Sequence, residues 1–597
     1  MKLYKSLALF LGCVALASCD DKLDLVNPNQ QTTGTFGNTA ADLEECVIAA
    51  YNHSRMEGTY ARVGYTIDVC RGDEVWNSSQ VWYMPFDDLN EPITDEIGQW
   101  SWRDWYYTIN VCNFITSRCA DDNSSMSEQM RRIKGQALFL RGLAYYNLAG
   151  YYQNPALITD YSAYSTLQGL YATNMPEDSE NPNDQYDLVL DQVEKDFAEA
   201  MTLLPKRDEQ GEWAKGRATC GAAAGYYART LMVRHKYTEA LAVLKQILNK
   251  NDGGEELYGS YALVDNYGDN FREGPQFENN IESLYEVQYL DYGSQGVDDE
   301  WTPVNTSPNA TQGSAIESNY GPGDMGGWAD LSASPWLYNL FKAERTTDNR
   351  LDPRLYWTIG TYEQDWDGFE YGNVCYTNPM TPDAPVVTNN ANGGLPIAKW
   401  TNLRTGLYDK VVTGLHDGIN LRLMRYSDVL LRAAECDNEV NGPTPQGIGW
   451  INAVRNRAHL KPLQLSDFTN DADKLFEQIA NVERPKEFGC EFGRGLDLIR
   501  WGWFYDQGRM TQLKQHGTFR RTTDRSTVKN AEDYSQVGVD PELKSSYDSY
   551  LPGHEFLPIY QGTLNDNPNL KGNSANNGTS NADYFSKNWK VRPVVNL

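Results

Sequence analysis

The chain has 597 residues, 40% of them hydrophobic and 12% aromatic, enough apolar surface for a large buried core and too much for a disordered chain. Lys and Arg together number 52 against 81 Asp and Glu, a net charge of −29. A field of that sign repels phosphate backbones and sets nucleic-acid binding aside.

In chain order, the first feature is a targeting segment. Met1 to Lys5 carries two lysines, and Leu7 to Ala17 is an apolar run too short to cross a bilayer, which takes roughly 20 residues. The run closes on Leu16-Ala17-Ser18-Cys19, which resembles the lipobox of bacterial lipoproteins. That resemblance implies a signal peptide over 1–18, cleavage before Cys19 and lipid on the Cys19 thiol, which would tether the body to a membrane. The following Asp20, Asp21 and Lys22 resemble the surface-export signal of Bacteroidetes lipoproteins. The ten cysteines show no C-x-x-C pair, so zinc and dithiol redox chemistry lack support. Cys112, Cys220 and Cys436 fall inside apolar helical patterns and read as buried reduced thiols.

The helical pattern then takes over. A run over 98–118 carries Trp100, Trp102 and Trp105 and reads as a core helix. Over 131–151, Ile133, Ala137, Leu140, Ala144, Leu148 and Tyr151 recur at three- and four-residue steps, and a second such run covers 184–204, closed by Pro205. Residues 217–234 and 237–249 form a helical hairpin. The small residues Ala222-Ala223-Ala224-Gly225 in its first arm are expected to admit a neighbouring helix closely. This pattern predicts a mainly α fold, a tetratricopeptide-like superhelix of helical hairpins without a clean 34-residue period. The 19–250 region carries these hairpins, and 251–597 carries the rest. From 251 to 415 Gly, Asn, Asp and Pro punctuate a large loop-rich insertion with short strands. Helices return at 421–440, 446–459 and 472–504, and after 505 the chain reads as irregular.

Four segments together resemble the SusD/RagB family of nutrient-uptake lipoproteins. They are Ala137-Leu-Phe-Leu-Arg-Gly-Leu-Ala-Tyr-Tyr-Asn-Leu148, Arg422-Leu-Met-Arg-Tyr-Ser-Asp-Val-Leu-Leu-Arg-Ala-Ala-Glu435, Ile451-Asn-Ala-Val-Arg-Asn-Arg-Ala458, and the signature running from Glu483 to Gly502. Pro485 departs from the family's usual basic residue and is expected to kink or restart a helix. Glu483, Arg484, Glu491, Arg494, Asp497 and Arg500 alternate in sign at helical steps and are expected to form ion-paired networks between packed helices. The resemblance implies a non-catalytic glycan-binding protein of the outer membrane, facing the cell exterior and delivering ligand to a SusC-like TonB-dependent transporter, with no cofactor.

The site itself is read from residue chemistry. A pyranose presents a face of C–H groups that stacks on Trp or Tyr, and hydroxyls that bond to carboxylates, amides and Arg. Two loop regions combine these types. In 71–90 the candidates are Asp73, Trp76, Trp82 and Tyr83; in 289–328 they are Tyr289, Trp301, Tyr320 and Trp328. Trp82, Trp301 and Trp328 lead, because each sits among Gly, Pro, Asn or Asp. Trp501 and Trp503 lie in the family signature and read as structural. A glycoside hydrolase is the competing enzyme reading, but acidic pairs such as Asp87/Asp88 are cheap in so acidic a chain. A relative of the same fold carrying peptides is the other alternative. The six histidines show no H-E-x-x-H spacing, so no metal site is expected.

Overall fold

The computed structural model describes residues 36–77, 80–211, 215–290, 313–321, 327–360, 395–402, 414, 416–517 and 545–597. Cys19 and the leader before it lie outside them. Helix α1 (Ala40–His53) begins behind Thr39, whose hydroxyl accepts from the Asp42 N–H while the Asp42 carboxylate accepts from the Thr39 N–H. A π-turn (Glu57–Ala61) leads into α2 (Val63–Cys70), and strand β1 (Val75–Asn77) follows.

The scaffold is a succession of long helices, each packed on the next: α3 (Glu96–Ser117), α4 (Glu128–Tyr152), α5 (Pro182–Leu203), α6 (Cys220–Val233) and α7 (Tyr237–Ile247). All lie within a turn of the periodic runs in the sequence. Ile133, Ala137, Leu140, Ala144 and Leu148 are fully buried, as the apolar stripe of α4 requires. Arg141 of α4 forks onto Asp196 of α5 at 2.8 and 2.7 Å, locking the two helices in register. Trp102 and Trp105 of α3 are buried, and Cys112, Cys220 and Cys436 are buried thiols outside any disulfide. Among the described residues, no helix is long and apolar enough to cross a membrane.

The insertion after α7 contributes strands β2 (Ser283–Val287) and β3 (Leu331–Ala333). Strand β4 (Leu421–Arg425) and helices α8 (Tyr426–Asn441) and α9 (Pro445–Arg457) come next. β1 pairs antiparallel with β3, Trp76 opposite Ser332, and β2 pairs antiparallel with β4. Residues 421–425 thus form a strand where the sequence pattern predicts helix. β2 supplies both a hydrogen-bonding edge and carboxylates for the strand's buried arginines: Arg422 pairs with Glu286 at 3.0 Å, and Arg425 reaches Glu282, just before β2, at 2.6 Å. This ribbon also occupies the small-residue cleft on α6. A side chain at Gly225 would collide with Met424 of β4, so a strand takes the place expected for a helix.

The stretch 472–504 is not one helix. It runs as α10 (Ala472–Gln478), a π-turn (Ile479–Glu483), α11 (Arg484–Phe488) with Pro485 in its first turn, and α12 (Arg494–Arg500). Pro485 sits where a missing N–H costs least, so it restarts the helix as expected. The signature charges form the expected network. Arg484 bridges Asp428 (2.9 Å) and Asp497 (2.7 Å), Arg500 binds Glu435 and Asp497, Glu491 accepts from Lys399 and Arg425, and Glu483 accepts from Arg455. Beyond 505 the chain is less irregular than its composition suggests. Asp506 caps α13 (Gln507–His516), whose thin buried stripe (Arg509, Leu513, His516) leaves little periodic signal.

Residues 545–597 form a strap laid over the N-terminal helices. Leu557 N–H donates to the Tyr151 carbonyl, the Asn573 amide to the Tyr152 carbonyl, the Gln153 amide to Asn581, and the Tyr584 hydroxyl to Asp187.

Candidate functional site

The ladder between β1 and β3 brings the two candidate loop regions side by side. Asn77, at the end of β1, closes the turn after it: its amide donates to the Gln80 carbonyl at 2.6 Å and its Oδ1 accepts from the Gln80 N–H at 3.0 Å. The Gln80 side chain then accepts from the Trp82 N–H at 3.3 Å, fixing the indole's origin. On the other side, Trp328 N–H donates to the Ser318 carbonyl at 2.6 Å, and Ala329 turns through φ 55° before β3 begins.

These two indoles meet one guanidinium. Arg62, between the π-turn and α2, lies with its Cζ 5.9 Å from the Trp82 ring centre, 5.8 Å from Tyr83 and 4.8 Å from Trp328. Its Nε donates to the Tyr83 hydroxyl at 2.6 Å and one terminal nitrogen to Glu57 at 3.1 Å. Burial works against the Arg62 charge, but Tyr83, Glu57 and Asp330 outweigh it and raise the pKa. The same burial pushes Tyr83 up to about 12, against the pull of Arg62. Trp82 remains 37% exposed and Trp328 half-buried. The result is a wall of Trp faces backed by a buried, ion-paired cation, with the amides of Asn77 and Gln80 next to Trp82. Such a surface suits a ligand that has both an apolar face and hydroxyls.

The other candidate side chains sit differently. Asp73 is buried and takes Arg494 in a fork at 2.6 and 2.9 Å, with His516 Nδ1 at 2.7 Å. Burial opposes its ionisation, yet Arg494 and His516 hold it well below the usual carboxylate range. Trp76 is buried in the β1–β3 ribbon. Tyr83 is buried, and its hydroxyl fixes Arg62. Tyr289 is buried, its N–H donating to Asn420 at 2.8 Å. Tyr320 is fully buried; its hydroxyl meets that of Tyr65 and donates to the Cys490 carbonyl at 2.7 Å. Trp301 lies outside the described residues. In this conformation the buried five have no face for a ligand, and of the described candidates Trp82 and Trp328 are the two with open indole surface. Trp501 and Trp503 are buried, as expected of structural residues.

Sequence reasoning missed Arg62, Glu57 and Asp330. The available signal was a lone arginine in the otherwise uncharged stretch Tyr60-Ala-Arg-Val-Gly-Tyr65, because a charge there demands partners. Among the described residues no group of His, Cys, Asp and Glu is arranged to hold a metal ion.

Fold and site together define a class of architecture: a scaffold of packed helical hairpins that presents loop-borne Trp faces around a buried ion pair. Comparison with known proteins places it within a family. Residues 281–576 match the SusD family model, and residues 21–232 match a second model described as starch-binding, associating with outer membrane. The SusD-like protein P25 of Formosa agariphila is 23% identical over 512 residues, 79% of this chain and 85% of that protein. A SusD superfamily protein from Bacteroides vulgatus superposes with TM-score 0.66 at 20% identity, over 91% of this chain and 100% of the other. Surface glycan-binding protein A from Bacteroides thetaiotaomicron, in complex with laminarihexaose, superposes with TM-score 0.61 at 19% identity, over 89% and 99%. The chain belongs to the SusD/RagB family.

Proposed function

We propose that this chain is a non-catalytic surface lipoprotein that captures oligosaccharides on the Trp82–Trp328 wall and passes them to a SusC-like TonB-dependent transporter in the outer membrane. The observation that carries the reading is the convergence of two indoles from separate loops on Arg62, with Trp82 still open to solvent. The starch-binding, outer-membrane description of the matched model supports it, as does the laminarihexaose complex of a structural relative. A lipid on Cys19 is the tether this role requires, and the lipobox-like Leu16-Ala17-Ser18-Cys19 after a short apolar run supports it.

Affinity electrophoresis of the mature chain in gels containing laminarin, xyloglucan or galactomannan tests the capture. At least one of these should retard the wild type, and a Trp82→Ala/Trp328→Ala variant should lose about tenfold or more in affinity. Unchanged migration of both proteins in every gel refutes the reading, and release of new reducing ends by the wild type refutes its non-catalytic part. For the anchor, Cys19→Ala should abolish labelling by radioactive palmitate and move the protein out of the membrane fraction.

A further inference from the structure

Resting on the glycan-binding reading, we infer that the Trp82–Trp328 site takes uncharged glycans and turns away those bearing uronate or sulfate groups. A sulfate or carboxylate gives up its water only in exchange for a cation, best of all a guanidinium fork. Among the described residues the site offers no such exchange. Arg62 is the cation among the aromatic faces, and its hydrogen bonds run to Glu57 at 3.1 Å and to Tyr83 at 2.6 Å, with Asp330 adding its field. Its charge is therefore answered from within the fold, and two carboxylates stand against one guanidinium. Arg71, the one basic residue in 71–90, is buried and bonded to Glu91 and to the His554 carbonyl. The same stretch holds Asp87, whose carboxylate accepts from the Asn77 N–H at 3.2 Å beneath the Trp82 turn.

The sequence of the second region points the same way. Residues 289–328 contain Asp291, Asp298, Asp299, Glu300, Glu317 and Asp324, and no Lys, Arg or His. Among the described residues at the aromatic faces, Glu57, Asp330 and Asp87 stand against Arg62, in a chain that is itself at −29. At physiological ionic strength this field reaches about 8 Å, enough to act on a sugar one residue away from the stacked one. Neutral hydroxyls face no such penalty, because they donate to carboxylates directly.

The experiment compares neutral laminarin, xyloglucan and galactomannan with anionic alginate, polygalacturonate and chondroitin sulfate. Affinity electrophoresis and titration calorimetry use the mature chain at low salt, where the field is least screened. Trp82→Ala reports whether any signal comes from this site, with its fold checked against the wild type by circular dichroism. The expected result is a Trp82-dependent interaction with at least one neutral glycan and affinities at least about tenfold weaker for every anionic one. An anionic glycan bound as tightly as the best neutral one, and released by Trp82→Ala, overturns the charge rule and leaves glycan binding standing. Binding of none of the six, or binding indifferent to both Trp82→Ala and Trp328→Ala, overturns the glycan-binding reading and the charge rule with it.

Discussion

Arg494 reaches across 421 positions of sequence to hold Asp73, and His516 Nδ1 shares the carboxylate while its ring stacks on Trp336 at 3.8 Å. All three ionisable groups are buried, so the arrangement is weak evidence for net stability but strong evidence for what its loss costs. Arg494→Met should destabilise the fold by about 3–5 kcal/mol in denaturant titration, and adding Asp73→Asn should restore a large part of it, since the neutral amide no longer lacks a counter-charge. Glu74, next in sequence, behaves oppositely: burial pushes its carboxyl up to about 8 from an ordinary 4.5, against the pull of Arg494. The fold prefers its neutral form. Its contribution is therefore full below pH 4.5 and is lost as pH rises through about 8. Glu74→Gln keeps the shape without the titration. Its melting temperature should fall less than that of the wild type between about pH 5 and pH 8, and an identical fall in both proteins would show that Glu74 ionises freely.

At the scale of elements, the long helices were legible because apolar residues recur every three or four positions: α5 and α7 bury such a stripe, and α4 carries it although it is buried on nearly all sides from Ile133 onward. The β2–β4 ribbon was not legible. Leu421-Arg-Leu-Met-Arg425 is five residues long and buried on both faces, so neither helical nor alternating period shows in it. The candidate site was legible as two regions, through Trp and Asn between turn residues. It was not legible residue by residue, since Tyr320 and Trp82 look alike in sequence while one is fully buried and the other open. Arg62 escaped because it lies outside both loops, on the turn into α2. That turn is itself constrained. A methyl at Gly58 would strike the backbone carbonyl oxygen of Trp100 on α3, and the Gly58 N–H donates to Asp104 at 2.9 Å. Gly58→Ala should therefore cost about 2 kcal/mol or more in thermal unfolding and weaken glycan retardation by displacing Glu57 and Arg62. Retardation unchanged in the folded variant would detach the turn from the site.

At the scale of the whole molecule, two families of buried carboxyls pull stability in opposite directions with pH. Burial disfavours ionisation of Asp428, Asp497 and Glu487, but the arginines around them outweigh it and hold them below their ordinary values. Their contribution is present above those values and is lost as the medium turns strongly acid. Burial raises Asp68 and Asp104 to about 7, along with Glu74, and their contribution is lost as pH climbs toward 8. Self-repulsion at −29 adds to that second loss. Melting temperature should accordingly peak near pH 5, decline toward pH 8 and collapse below about pH 3, as followed by differential scanning calorimetry. A maximum at pH 8 or above would contradict this balance.

The strap 545–597 has a consequence in time. Tyr151, Tyr152 and Gln153 at the end of α4 exchange hydrogen bonds with residues 557–581, and Asp73 waits for Arg494 and His516. Every one of these partners is synthesised several hundred residues later. An emerging chain can form single helices early, but it cannot close its first hairpins into a finished core until this late segment is available. The topology thereby delays its own completion and keeps the early chain loose until its C-terminal segment has been made.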